Sequence, residues 1–182
     1  MLMDEKEFQK TLEKLADDIL KEFRDDPNFV LIGIRTRGVL LAQRLQQIIK
    51  ARTKKEPLMG TLDITLYRDD LSTLAKQPIV HATTLPFDVD EKKIVLTDDV
   101  LYTGRTVRAA LDQLVDFGRP SVIRLAVFID RGHREYPIQA DFIGRKIETK
   151  QNQVVHVCLP EVDGEQRVII VEGQENTIPN QE

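Results

Sequence analysis

Short apolar runs that alternate with amphipathic helical stretches constrain this chain more than any other feature. Residues 29–34, 94–96 and 122–129 are of strand length and apolar almost throughout, without a polar residue at every second place. Such runs suit strands buried on both faces, as in a parallel sheet covered by helices. Phe8, Leu12, Leu15, Ile19, Leu20 and Phe23 recur at helical spacing and predict an amphipathic helix over about residues 4–24. Leu41, Leu45, Ile48 and Ile49 mark a second helix, and Val107, Ala110, Leu111 and Leu114 a third over residues 106–117. Asp25-Asp26-Pro27-Asn28 and Gly118-Arg119-Pro120 supply the stops. The alternation predicts an α/β fold with a central parallel sheet flanked by helices.

The remainder fills in around that frame. Leu58, Gly60, Leu62, Ile64 and Leu66 alternate with other residues, which predicts a strand exposed on one face. Residues 67–92 have no sustained period, contain Pro78 and Pro86, and read as a long loop. A loop of that length inside a compact domain is usually functional or mobile. Residues 141–144 read as a short strand. Residues 154–159 and 168–172 read as further antiparallel strands around Asp163-Gly164, and 174–182 as a polar tail. The whole chain of 182 residues reads as one domain without internal repeats.

Composition narrows the function classes. With 26 Lys+Arg against 30 Asp+Glu the net charge is −4, so the protein is not coated in basic charge. No apolar stretch reaches the roughly 20 residues of a membrane span. Residues 1–6 are charged and lack the apolar core of a secretory signal. Cys158 is the single cysteine, which excludes an internal disulfide and suits a reducing, cytoplasmic setting. His81, His133, His156 and Cys158 form no metal-site spacing. The histidines read as solvated or structural, with His133 the best exception, and Cys158 as a core residue. Lys50, Arg52, Lys54 and Lys55 read as a solvated helix end, and Glu161, Asp163 and Glu165 as solubility.

The chemistry concentrates in Ile94-Val95-Leu96-Thr97-Asp98-Asp99-Val100-Leu101-Tyr102-Thr103-Gly104-Arg105-Thr106. In open α/β sheets, ligands bind beyond the carboxyl ends of strands. Adjacent carboxylates there suit vicinal sugar hydroxyls, directly or through a divalent cation. Thr103 to Thr106 add hydroxyls and backbone N–H groups at a helix N-terminus, which favours a phosphate. Each half alone has a plainer reading: a solvated turn for the aspartates, a helix cap for Thr-Gly-x-Thr. A response-regulator pocket also places Asp after strands but gives no reason for the phosphate cradle. No Walker-type loop occurs.

Residues 95–106 resemble the phosphoribosyl-pyrophosphate signature of the type I phosphoribosyltransferases. Gly33-Ile34-Arg35-Thr36-Arg37-Gly38, Ile64-Thr65-Leu66-Tyr67-Arg68-Asp69-Asp70 and Asp130-Arg131-Gly132-His133-Arg134-Glu135 extend the resemblance to one subfamily. Its members combine pyrimidine-operon attenuation with uracil phosphoribosyltransferase activity, and the similarity spans about residues 4–172.

The resemblance implies a type I phosphoribosyltransferase fold with a small hood from about residue 130. It implies a transferase forming UMP and pyrophosphate from uracil and phosphoribosyl pyrophosphate (pentosyl transfer), with Mg²⁺ accompanying the sugar. No side chain is assigned as a direct metal ligand. Arg68, Asp98 and Asp99 take the catalytic roles, with Arg68 in a flexible loop of about residues 67–90. Arg35, Thr36, Arg37 and Gly38 match the pyrophosphate loop, which in the family can hold a non-proline cis peptide. Asp98, Asp99, Val100, Leu101, Tyr102, Thr103, Gly104, Arg105 and Thr106 match the ribose-phosphate loop, and Arg131 lies near the nucleotide. Other bases stay open, because the signature recognises the activated sugar and does not read the base.

The resemblance further implies a homodimer or higher homo-oligomer, and UMP- or UTP-responsive binding of pyrimidine-operon leader mRNA. Lys14, Arg134 and Arg145 match RNA-face positions. Glu13, Asp17 and Gln139 stand where polar or basic residues are expected, which predicts retained catalysis with attenuation weakened, altered or lost. A purely regulatory protein that uses the nucleotide site as a sensor is the alternative. Residues 119–150 hold seven basic and four acidic residues against five and nine in residues 1–28; that allows a modest basic patch, but on charge alone a solvated surface is the favoured reading.

Overall fold

The computed structural model describes residues 1–67 and 82–173. Asp4 caps the first helix, α1 (Glu5–Phe23), through a reciprocal box: its carboxylate accepts from the Glu7 amide at 2.8 Å, and Glu7 accepts from the Asp4 amide at 3.4 Å. The predicted apolar stripe, Phe8 to Phe23, is buried. It rests on the sheet through Phe8, 4.3 Å from Phe128 between ring centroids, and through Phe23 stacked on Phe29 at 5.2 Å.

The chain continues through β1 (Phe29–Ile34), α2 (Arg37–Thr53), β2 (Leu58–Leu62), a 3₁₀ turn (Thr65–Tyr67), β3 (Lys93–Leu101), α3 (Arg105–Phe117), β4 (Val122–Asp130) and β5 (Phe142–Lys146). These strands form one parallel sheet in the order β2-β1-β3-β4-β5. α1 and α2 pack on one face through Leu31, Val95 and Phe128, and α3 on the other through Ile32, Leu96 and Val127. All six residues of β1 are buried, as a strand covered on both sides must be. From β1 the chain winds one way to β2, and from β3 the other way to β4 and β5. The carboxyl ends of β1 and β3 therefore flank a topological switch point, where crevices form in sheets of this kind. β6 (Gln153–Cys158), α4 (Pro160–Asp163) and β7 (Arg167–Glu172) build a separate antiparallel hairpin, to which Met3 adds a bridge at Val168.

Three local expectations change. β3 extends to Leu101, so Asp98 and Asp99 lie on the strand and not in a loop: pairing with β4 continues through Asp98↔Val127 and Leu101↔Asp130. β2 ends at Leu62, because Asp63 accepts from the Thr65 amide at 2.9 Å and from the Thr65 hydroxyl at 2.5 Å, which bends the chain and leaves Leu66 exposed. α2 starts at Arg37, so Arg37 and Gly38 belong to its first turn. Thr84 pairs with Thr61 at the sheet edge. Most of the long loop, with Arg68 and His81, and the polar tail lie outside the described residues.

Candidate active site

β1 delivers the first wall. Its last amide contact is Arg35 N–H to the Leu62 carbonyl at 2.9 Å, and the Arg35–Thr36 peptide that follows is cis. α2 then begins directly against β3. A Cβ built on Gly38 would stand 2.5 Å from the Thr97 carbonyl oxygen and 3.2 Å from the Asp98 Cα. Glycine at this position lets the Arg35–Gly38 segment lie against the acidic pair.

β3 delivers the second wall. Asp98 is buried and Asp99 half-buried, and the Asp98 carboxylate accepts from the Asp99 amide at 2.9 Å. Burial, reinforced by the charge of Asp99, pushes the Asp98 carboxyl well above the ordinary carboxylate range. Burial raises Asp99 too, while its hydrogen bond with Asp98 and the Arg37 charge pull the other way. Two adjacent carboxyls withdrawn from water in this way are poised to receive hydroxyl donors or a cation. A cavity of about 400 Å³ opens over them, lined by Arg35, Thr36, Arg37, Asp63, Asp99 and Thr106 among others.

The third element is the start of α3. Gly104, at φ +93°, turns the chain into the helix, and a Cβ there would press to 3.2 Å from the Cβ of Tyr136. The Thr103 hydroxyl accepts from the Arg105 amide at 3.3 Å. The first-turn amides of this 13-residue helix present the positive end of its dipole beside the cavity residue Thr106. The Arg105 side chain turns to the hood, where Glu135 accepts from its Nε at 2.7 Å and Tyr136 lies 5.3 Å from its guanidinium.

The hood is fastened by two further arginines. Arg134 donates to the carbonyls of Ile138 at 2.9 Å and Tyr102 at 2.8 Å, and pairs with buried Asp130 at 2.6 Å. It is thus a clasp between β4, the hood and residues 101–102. Arg131 is buried, lies 4.0 Å over the Tyr102 ring, and donates to the Thr149 hydroxyl at 3.2 Å and the Lys150 carbonyl at 3.2 Å. His133, at φ +59°, shares a 2.7 Å hydrogen bond with the Thr149 carbonyl.

Lys14 and Arg145 share a surface, since α1 runs beside β5. The Lys14 ammonium donates to the Ile143 carbonyl at 3.0 Å and Arg145 to the Leu2 carbonyl at 3.3 Å. Asp17 is hydrogen-bonded to Arg52, and Glu13 lies 3.9 Å from the same guanidinium, so both carboxylates already have a cation.

Sequence reasoning missed Asp63 and Thr149. Asp63 follows the carboxyl end of β2, at the same edge of the sheet as Asp98, a signal that was present in Leu62-Asp63. Thr149 carried no local signal. The acidic turn read as solubility is engaged as well: Glu161 meets Arg44 and Asp163 meets Arg37.

No group of three or more His, Cys, Asp or Glu among the described residues is arranged to hold a metal by itself. Mg²⁺ usually takes one or two carboxylates together with waters and substrate phosphates. Oxygen donors such as Asp63, Asp98 and Asp99 fit an ion of that kind. No helix among the described residues is long and apolar enough to cross a membrane.

Comparison with known proteins agrees with this architecture. Residues 1–162 match the phosphoribosyl transferase domain family. The chain is 52% identical over 171 residues to the bifunctional protein PyrR of Elusimicrobium minutum, covering 94% of this chain and 96% of that one. It is 52% identical over 174 residues to the bifunctional protein PyrR of Pelotomaculum thermopropionicum, covering 96% of each. A crystal structure of the hypoxanthine phosphoribosyltransferase of Trypanosoma cruzi superposes with a TM-score of 0.71 at 14% identity, covering 96% of this chain and 97% of that one, a likeness of fold.

Proposed function

The chain belongs to the phosphoribosyl transferase family, and from that premise we propose that it is a uracil phosphoribosyltransferase of the PyrR kind, converting uracil and phosphoribosyl pyrophosphate to UMP and pyrophosphate. One observation carries this reading: the Arg35–Gly38 segment, the Asp98–Asp99 pair and the start of α3 meet around one cavity at the switch point of the sheet.

Each element has a task in that reaction. Asp98 and Asp99 accept from the ribose hydroxyls, and their charge favours the cation-like sugar that forms as the C1–oxygen bond breaks. Thr103, Thr106 and the first amides of α3 hold the 5′-phosphate. The Arg35–Gly38 segment faces the diphosphate, and Arg68 is the further cation assigned to it. The hood around Arg131 covers the base. Uracil N1 attacks from the face opposite the leaving pyrophosphate, so alignment is the main requirement and no protein nucleophile is needed. Asp63, Asp98 and Asp99 are the oxygen donors that would hold Mg²⁺, which would supply charge neutralisation for the diphosphate.

Pyrophosphate release with uracil, orotate, hypoxanthine and adenine, each with Mg²⁺ and phosphoribosyl pyrophosphate, tests the assignment. Turnover with uracil alone is expected. Preference for a purine would overturn it.

The shared surface of Lys14 and Arg145 supports a second activity, binding of pyrimidine-operon leader mRNA under control of UMP or UTP. With Arg134 committed to the hood, Lys14 paired with Asp18 at 3.0 Å and acidic Glu13 and Asp17 nearby, that binding is weaker than a fully basic face would give.

A further inference from the structure

α2 carries Arg37 and Arg44 seven residues apart, two turns along one face of the helix. Both side chains leave the sheet layer and reach the C-terminal hairpin. Arg44 is held by both oxygens of Glu161 at 2.9 Å and by Gln166 at 2.6 Å. Arg37 donates from Nε to the Val157 carbonyl at 3.0 Å and from Nη2 to Asp163 Oδ1 at 2.6 Å. The carboxylate that holds Arg37 is itself fixed, because Asp163 Oδ2 accepts from the Leu159 amide at 2.8 Å. The short helix α4 is therefore clamped to α2 at two points, and one of them is a residue of the cavity.

This arrangement differs from an ordinary surface ion pair. The Arg37 side chain is 33% exposed and that of Asp163 23%, a setting in which a single pair adds little to stability. Two edges of the guanidinium are tied to rigid groups. Nη1 has no hydrogen-bond partner among the described residues, while Arg37 lines the cavity and its charge acts on Asp99. A long cationic side chain in open solvent surrenders its rotamer freedom when it binds an anion. One already held loses much less.

We propose that Asp163 is a positioning residue for the diphosphate end of the site: from the hairpin it holds the Arg37 guanidinium at the cavity wall, so that a diphosphate meets a cation already in place. The proposal rests on the reading of this cavity as a phosphoribosyl-diphosphate site. It assigns to the acidic turn between β6 and β7 a function beyond solubility. It also makes the hairpin part of the anion site although none of its own atoms need touch the ligand.

The test is calorimetric titration of the intact protein with pyrophosphate in excess Mg²⁺, and separately with UMP, which lacks the diphosphate. Asp163→Ala is expected to weaken pyrophosphate binding about tenfold and to leave UMP affinity within twofold. Asp163→Asn keeps one acceptor oxygen for Arg37 but sets its amide group against the Leu159 N–H, so it holds Arg37 less firmly and is expected to weaken pyrophosphate binding about threefold, with UMP affinity again within twofold. Unchanged pyrophosphate affinity in Asp163→Ala would overturn the proposal, as would an equal loss for UMP, which marks general loosening. If Asp163→Ala does not fold, Asp163→Asn decides alone: a loss of about threefold for pyrophosphate and not for UMP supports the proposal, and wild-type pyrophosphate affinity or an equal loss for UMP overturns it. Wild-type protein that does not bind pyrophosphate also overturns it. Wild-type protein that binds pyrophosphate in an Asp163-dependent way but turns over no base would leave the proposal standing and remove the proposed reaction. Uracil turnover with pyrophosphate binding indifferent to Asp163 would do the reverse.

Discussion

Gly38 lies against Thr97 so closely that a methyl group on its α-carbon would stand 2.5 Å from the Thr97 carbonyl oxygen. The obstacle is backbone in the middle of a parallel sheet, so nothing flexible can yield. Gly38→Ala should destabilise the protein by about 1–3 kcal/mol, the usual cost of overpacking. It should also push the Arg35–Gly38 segment away from Asp98. Chemical denaturation measures the first effect, and a raised KM for phosphoribosyl pyrophosphate the second. Wild-type values for both would mean that the contact has room to relax.

The acidic pair imposes a stability cost that pH should reveal. Burial and the Asp99 charge raise the folded-state pKa of Asp98 above its unfolded value. Between those two values the folded state binds more protons than the unfolded state, so stability falls as pH rises through the interval. The loss is complete above the folded pKa. Asp98→Asn removes the titrating group, so it should flatten this fall and raise the thermal midpoint at neutral pH while lowering turnover. Thermal melts from pH 4 to pH 8 check it. A wild-type midpoint that climbs over that range more steeply than the variant's would contradict the linkage.

Arg134 holds buried Asp130 and spans the Ile138 and Tyr102 carbonyls. Arg134→Ala leaves that carboxylate buried with the Gly132 amide at 3.0 Å but without its cation, which should cost about 3 kcal/mol. The destabilisation should appear in urea unfolding, with the base-binding step impaired before the sugar-binding step. A variant as stable as wild type would show that water replaces the clasp.

Leader-RNA binding, if it uses the α1–β5 surface, depends on Lys14 and Arg145. Removing one cation that meets an RNA phosphate should reduce the slope of log affinity against log salt by roughly 0.7 for a single strand. Lys14→Gln and Arg145→Gln should each weaken binding without changing uracil turnover. An unchanged slope in both variants would place the RNA elsewhere.

How much of this was readable in the chain differs by residue. The strand over Phe29–Ile34 and the helix ending near Phe23 follow from local periodicity, which burial on one or both faces imposes directly. The parallel α/β order follows from the same pattern. The Val95–Thr106 segment was legible as chemistry because two carboxylates and a helix cap follow a buried strand without a break. That Asp98 and Asp99 remain on the strand was not, because the reason is pairing with β4, far along the chain. The shortened β2 depended on one side chain, Asp63, capturing Thr65. Arg37 and Asp163 lie 126 residues apart in sequence, and nothing local to either announces the other. The same holds for Arg134, whose carbonyl partners have no sequence signature at all.

The central claim is that Asp98 and Asp99 hold an activated ribose for attack by uracil. It is tested most directly by the rate of uracil-dependent pyrophosphate release in wild type and in Asp99→Asn, with Mg²⁺ and saturating phosphoribosyl pyrophosphate. The expected result is rapid release in wild type and a loss of about 10²–10³-fold in the variant, with circular dichroism unchanged. Equal rates in the two proteins would contradict the claim and remove the acidic pair from the reaction.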